Sequence, residues 1–219
     1  VGEVNPAAYR CAHTAVPGPF AGRGHCNPDY GSTIDTAGGA QTVLPFSLET
    51  TSATELEKMM EAKELTSEEL VKAELTRIAL TNARGISTQS VRAIAPEALA
   101  DAEAADAARA AGAKGPLLGI PFLVDDSIDV DGLATSGGSI AEQDNLPEND
   151  STLVAKLKAA GAVVLGDTNT SELGGMMEGA NMPQGYSSLG GQALLPADTN
   201  KSVGGSSGGS AGAVSVGLA

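Results

Sequence analysis

Gly204-Gly-Ser-Ser-Gly-Gly-Ser-Ala211 mixes glycines and small hydroxyls so densely that it offers a bare backbone surface and almost nothing to a hydrophobic core. It runs directly into Gly212-Ala-Val-Ser-Val-Gly-Leu-Ala219, an apolar stretch of helical composition. A turn that opens a helix leaves the first backbone N–H groups without partners inside the helix, and they face whatever the glycines leave room for. A flexible linker has the same composition, but linkers do not usually lead straight into an Ala/Val/Leu segment. The run therefore reads as a cradle, and the rest of the chain as the scaffold that holds it.

Outward from that run, helices and strands alternate. Ser52-x-x-Glu55 and Thr66-x-x-Glu69 have capping-box spacing, in which each side chain satisfies the other residue's backbone N–H, and each predicts the start of an amphipathic helix. In the second, Leu70, Val71, Leu75 and Ile78 share a face, and Glu68, Lys72 and Arg77 lie away from it. Ser90–Ile94 suits a short strand, and Pro96 opens an Ala-rich helix to about Ala111. Gly119–Val124 is an apolar run bounded by turn residues, expected to be a buried strand with Asp125 at its end. Asp150 or Ser151 caps a helix expected to bury Leu153, Val154 and Leu157, Gly161 stops it, and Ala162–Leu165 forms the next strand. The pattern predicts an α/β domain, with helices covering a mostly parallel sheet.

Several further blocks occur in a fixed order: Gly115-Pro-Leu-Leu-Gly-Ile-Pro-Phe-Leu-Val-Asp-Asp-Ser-Ile-Asp129, Gly137-Gly-Ser139, Ala159-Ala-Gly-Ala-Val-Val-Leu-Gly-Asp-Thr-Asn-Thr-Ser-Glu172, Ser187-Ser-Leu-Gly-Gly-Gln192 and the Gly/Ser run. With them the chain from Ser52 onward resembles the amidase signature family, serine hydrolases that cut linear amides with a Ser-cisSer-Lys triad. The resemblance implies a mixed sheet covered by helices, larger than these residues build. It implies that residues 48–219 are the N-terminal half of such a domain, that residues 1–47 are an extension, and that the acylated serine and its oxyanion hole lie beyond Ala219. The C-terminal remainder, as a second chain or a continuation, is then the expected partner. Because the sequence ends in an apolar helical run without an evident stop signal, residues 1–219 are not expected to fold alone.

Ser206 matches the serine that relays the proton across a cis peptide. Asp125 stands where the family carries its lysine base, and Asp126 follows it. Adjacent strand residues face opposite sides, so one of the two enters the cleft, and the family register makes it Asp125. A solvated acidic pair is the plain alternative. The functional reading has the Asp125 carboxylate hydrogen-bonded to Ser206 and acting as the base. Ser139 and Gln192 match segments that line the cleft in relatives, and with Gly204 and Gly205 beside Ser206 they are the expected substrate-binding residues. Ser207 and Ser210 read as turn-stabilising hydroxyls. Thr168, Asn169 and Glu172 read as residues that hold loops together. Asp167 replaces a lysine common in relatives, which predicts a change of sign around the cleft. An inactive binding protein that retained the fold is the competing function.

The formal charge of −14 among 219 residues argues against nucleic acid and anionic membrane surfaces as partners, because both are bound through Lys and Arg. The chain opens at Val1, as a product does after leader removal, and it is the two cysteines of the N-terminal arm that point to an extracellular location. Cys11 and Cys26 lie in a Gly/Pro/Asn-rich arm with no periodic apolar pattern, where a disulfide would be worth about 3 kcal/mol. Zinc is a weaker reading: His13 and His25 flank the pair, but adjacent His25 and Cys26 suit one tetrahedral ion poorly, and free thiols are the remaining alternative. No cofactor and no metal are expected. Asn149, Asn169 and Asn200 head Asn-x-Ser stretches, which the Ala/Gly-rich, bacterial-looking composition predicts to be unglycosylated.

Overall fold

The computed structural model describes residues 44–82, 87–176 and 182–219. The expected arm at 1–47 lies outside these residues up to position 43, and Cys11, Cys26, His13 and His25 with it. Helices α1 (Ala53–Glu61) and α2 (Ser67–Thr81) begin at the two predicted capping boxes. Ser52 N–H donates to Glu55 Oε2 at 2.8 Å while Glu55 N–H donates to Ser52 Oγ at 3.3 Å, and the Thr66/Glu69 pair closes at 3.0 Å both ways. A cap of this kind is worth about 1 kcal/mol. Leu70, Val71, Leu75 and Ile78 are buried as their spacing requires.

Strand β1 (Val91–Ile94), helix α3 (Ala98–Ala110), strand β2 (Pro121–Asp125), helix α4 (Thr152–Ala159) and strand β3 (Val163–Thr168) follow in order. The sheet runs β1-β3-β2. β2 and β3 are parallel, joined through α4, but β1 pairs antiparallel with β3. The sheet is thus mixed, as the resemblance implies, and the mostly parallel sheet suggested by the helix–strand alternation alone is corrected. Apolar strand composition reports burial on both faces and carries no information about chain direction. A second correction concerns α4: Val154 is fully buried and Leu157 half-buried, but Leu153 is 52% exposed. A helix of eight residues lays one narrow row on β3, and Leu153, one position from Val154, is rotated about 100° out of it.

Beyond β3, a two-stranded ribbon, β4 (Tyr186–Ser187) with β5 (Gly191–Gln192), leads toward helix α5 (Gly208–Ser215). This last helix does have a stop. Gly217, at φ +61°, sits past the cap residue Val216; its N–H donates to Val214 O at 3.1 Å and Leu218 N–H donates to Ala213 O at 3.0 Å. These two bonds are the Schellman pattern, and they turn the fully buried Leu218 back onto the core. The expected helical run to Ala219 is corrected accordingly: glycine in the left-handed region ends it.

The main core joins α2, α3, α4, α5 and the sheet around Val71, Leu75, Ile78, Val154, Leu165 and Leu218. A smaller cluster of Leu56, Met60, Leu65, Leu70 and Ile120 lies under α1, with Leu44, Phe46 and Leu48 packed on it. Asn82, just past α2, is buried and binds the entry to β1 on both sides. Its Nδ2 donates to Val91 O at 2.8 Å, and its Oδ1 accepts from the N–H of Ser90 at 2.6 Å and of Val91 at 2.9 Å.

Candidate active site

β2 ends at Asp125, which stands opposite Thr168 in the parallel register, so the two side chains share a face of the sheet. Thr168 Oγ1 lies 2.7 Å from Ser210 Oγ, which identifies that face as the one covered by α5. Helix and sheet meet here with no room to spare. Gly209 N–H donates to Asn169 O at 2.9 Å, and a Cβ on Gly209 would stand 2.3 Å from Asn169 O and 2.4 Å from Ser90 O.

The turn itself is anchored by carbonyls. The Gly205–Ser206 peptide is cis. Ser206 O accepts from Ser171 N–H at 2.8 Å and from Thr170 Oγ1 at 3.0 Å, which leaves the half-buried Ser206 on a shelf made by the residues after β3. Gly204 has φ +90°, and a Cβ added there would meet nothing within 4 Å; its N–H donates to Ser202 Oγ at 3.1 Å. Gln192 Nε2 donates to Gln184 O at 2.7 Å and to Ala193 O at 3.0 Å, so it holds the ribbon together beside that turn. Ser139 is buried and its hydroxyl accepts from Ala141 N–H at 3.3 Å, capping a short 3-10 turn.

The two aspartates divide as the strand alternation requires, but neither is a solvated surface acid. Asp125 is half-buried. Its Oδ1 accepts from Ser127 Oγ at 2.7 Å and from Ser127 N–H at 3.2 Å, and its Oδ2 is buried without a hydrogen-bond partner among the described residues. The expected bond from Asp125 to Ser206 is thus corrected: the nearer hydroxyl of Ser127, two residues on, occupies the carboxylate instead.

Asp126 is buried on the opposite face and gathers the loop after β2. Ser136 N–H donates to Oδ1 at 2.9 Å, Gly138 N–H donates to Oδ2 at 2.8 Å, and Ser136 Oγ donates to Oδ2 as well. Arg92 Nε stands 2.9 Å from Asp126 Oδ2, and the same guanidinium is ion-paired with Asp167. Asp167 therefore lends no charge to the cleft, correcting the expected change of sign there. It is buried, with Ala93 N–H donating to Oδ1 at 3.0 Å. Burial pushes its carboxyl up to about 8 despite the pull of Arg92, and the neighbouring Asp126 charge pushes the same way.

Thr168, Asn169 and Glu172 hold loops together as read from the sequence. Asn169 Nδ2 donates to Gln89 O and Gly191 O, its Oδ1 accepts from Ser187 Oγ at 2.7 Å, and Glu172 Oε2 accepts from Ser188 N–H at 2.8 Å. With both amide groups committed and the residue buried, Asn169 offers no acceptor for a glycan. Among the described residues, no three His, Cys, Asp or Glu side chains come together as metal ligands.

The family profile described as Amidase matches residues 69–219. The chain belongs to the amidase family. It is 44% identical over 117 residues to a glutamyl-tRNA(Gln) amidotransferase subunit from Treponema pallidum, a match covering 50% of this chain and 22% of that protein. It is 41% identical over 96 residues to human fatty-acid amide hydrolase 2, covering 44% of this chain and 17% of that protein. The fold superposes on the native peptide amidase of Stenotrophomonas maltophilia with a TM-score of 0.75 and 42% identity, over 78% of this chain and 35% of that one. The chain thus spans about a fifth of the curated relatives and about a third of the solved amidase. Within this amidase-family fold, sequence reading passed over Arg92. Its signal was available: a charged residue inside Val91-Arg-Ala-Ile94, an otherwise apolar strand, needs a buried counter-charge.

Proposed function

We propose that this chain forms the N-terminal part of a hydrolase that opens the carbon–nitrogen bond of a small carboxamide or peptide amide. Ser206 relays the proton, Asp125 takes the base position, and an acyl-enzyme forms on a serine supplied by a C-terminal remainder of the domain. The observation that supports this reading is the shared face: Asp125 closes β2 opposite Thr168, and Thr168 meets Ser210 of α5, the helix that the Gly/Ser turn opens. Asp125 Oδ2, buried and without a hydrogen-bond partner among the described residues, is the acceptor this role requires. Gly204, Gly205, Ser139 and Gln192 build the surrounding loops.

The test is hydrolysis of an aryl amide by the intact protein and its Asp125→Asn and Asp125→Lys variants across pH. A lysine base works as the neutral amine, so Asp125→Lys favours more alkaline pH than the natural protein does. Asp125→Asn loses roughly 100-fold in rate, the scale of a general-base contribution. Unchanged hydrolysis in Asp125→Asn removes the base role.

A second reading, a binding protein that kept the fold without the chemistry, is favoured by the engagement of Asp125 with Ser127. Absence of hydrolysis in all three proteins supports it. An extracellular setting and a Cys11–Cys26 disulfide complete the proposal; non-reducing mass spectrometry that finds two free thiols in the native protein removes the disulfide. The acidic charge supports a small-molecule substrate over nucleic acid or membrane partners. Among the described residues no helix is long and apolar enough to cross a membrane.

A further inference from the structure

Arg92 sits at the centre of a set of buried bonds that reaches the Gly/Ser turn without touching it. Its side chain is 8% exposed, and it meets three segments at once: Asp126 just past β2, Asp167 in β3, and the following loop at Ala134 O, to which it donates at 2.6 Å. Asp126 in turn holds the N–H groups of Ser136 and Gly138 through its carboxylate, and that of Gly137 through its carbonyl at 3.0 Å. The loop so held presents Gly137 O to Leu173 N–H at 2.7 Å and Gly138 O to Leu189 N–H at 3.1 Å. Gly138 also lies so close to the chain after β3 that a Cβ on it would stand 2.8 Å from Thr170 O. Thr170 and Ser171 are the two residues on which Ser206 O rests.

We propose that Arg92 is a positioning residue: by tying Asp126 and Asp167 together behind the sheet, it sets the Ala134–Gly138 loop and, through Thr170 and Ser171, the placement of Ser206. That placement has catalytic meaning only under the hydrolase reading above; the mechanical coupling does not depend on it. Among the described residues, the ionisable groups paired with the guanidinium include Asp126, just past β2, and Asp167 from β3, and the loop residues from Ala134 to Gly138 carry no ionisable side chain. A role in stability alone accounts poorly for this arrangement. Buried ion pairs contribute little net stability compared with apolar residues of similar volume, whereas their directional bonds fix geometry. Arginine suits the position because its planar fork addresses several acceptors in fixed directions, and a lysine ammonium in the same place is a single point charge.

Amide hydrogen exchange on the intact protein tests the coupling. Arg92→Lys keeps the charge but cannot span all three acceptors. The N–H groups of Ser136, Gly138 and Ser171 should then exchange about ten-fold faster, while those of Leu75 and Ile78 in α2 stay within roughly two-fold of the parent. Asp126→Asn, which removes the charge, replaces one of the two acceptor oxygens with a donor NH2 and keeps Arg92, should loosen the same three amides. Unchanged exchange at Ser171 in a folded Arg92→Lys protein overturns the proposal. So does equal loosening of α2, or loss of folding, since either makes Arg92 a general structural residue. Where hydrolysis is measurable, kcat should fall about ten-fold with KM within roughly two-fold, as displacement of a reacting group without loss of substrate contacts requires. If no hydrolysis is found in the parent, the exchange result still decides the coupling, and only the hydrolase reading fails.

Discussion

Gly209→Ala should be among the most damaging single-methyl changes in this fold, and its cost can be worked out from contacts. The added Cβ would stand 2.3 Å from Asn169 O, 2.4 Å from Ser90 O and 2.6 Å from Asn169 N, against an ordinary contact of 3.4 Å or more. All three are backbone atoms, so no side chain can swing aside. Either α5 or the ends of β1 and β3 must retreat by about 1 Å, and overpacking of this kind costs about 1–3 kcal/mol. A retreat also breaks the 2.9 Å bond from Gly209 N–H to Asn169 O and the 2.7 Å contact of Thr168 with Ser210. Each lost bond adds about 1 kcal/mol. The better helix propensity of alanine returns about 1 kcal/mol, which leaves a net loss of about 3 kcal/mol. Gly204→Ala is the control: there nothing lies within 4 Å and only the positive φ is at stake, for about 1 kcal/mol. Urea unfolding of the intact protein, with the slope compared between variants, reads both values. A Gly209→Ala protein within about 0.5 kcal/mol of the parent, or no worse than Gly204→Ala, would refute the argument that this helix is held by steric fit.

Glu74 is 2% exposed in α2 and burial drives its carboxyl well above the usual carboxylate range, the same direction as Asp167. A carboxyl with a raised folded-state pKa holds extra protons in the folded form, so stability is greatest below the unfolded value near 4 and falls as pH rises through the folded value. Glu74→Gln should flatten that decline in urea midpoints measured from about pH 5 to pH 9, and an unchanged slope would show that Glu74 does not titrate on unfolding. Asn82→Ala should cost about 2–4 kcal/mol, because it strands the N–H groups of Ser90 and Val91 and the Val91 carbonyl in the interior. A loss below about 1 kcal/mol in thermal or urea unfolding would mean that water replaces the amide there.

Local patterns made much of this protein legible from its sequence. Both capping boxes, the buried stripe of α2, the strands at Val91–Ile94 and Pro121–Asp125, and the Gly/Ser turn ahead of α5 follow from interactions between residues a few positions apart, so they can be read along the chain. The ordered blocks carried the family, since they mark the close approaches that the fold demands, such as Gly138 against Ser187 and Gly209 against Asn169. Strand direction could not be read, because an apolar strand has the same composition in either orientation, and β1 turned out to run against β3. The partners of the carboxylates were equally hidden. Asp125 and Asp126 are adjacent and chemically identical, and only the register with β3 sends one to the face that α5 covers and the other to Arg92, 34 positions back along the chain. Asp167 looked like a charge on the cleft until tertiary packing buried it against that same arginine. Charges act through space and take their meaning from what lies within a few ångströms, and that proximity belongs to the tertiary structure alone.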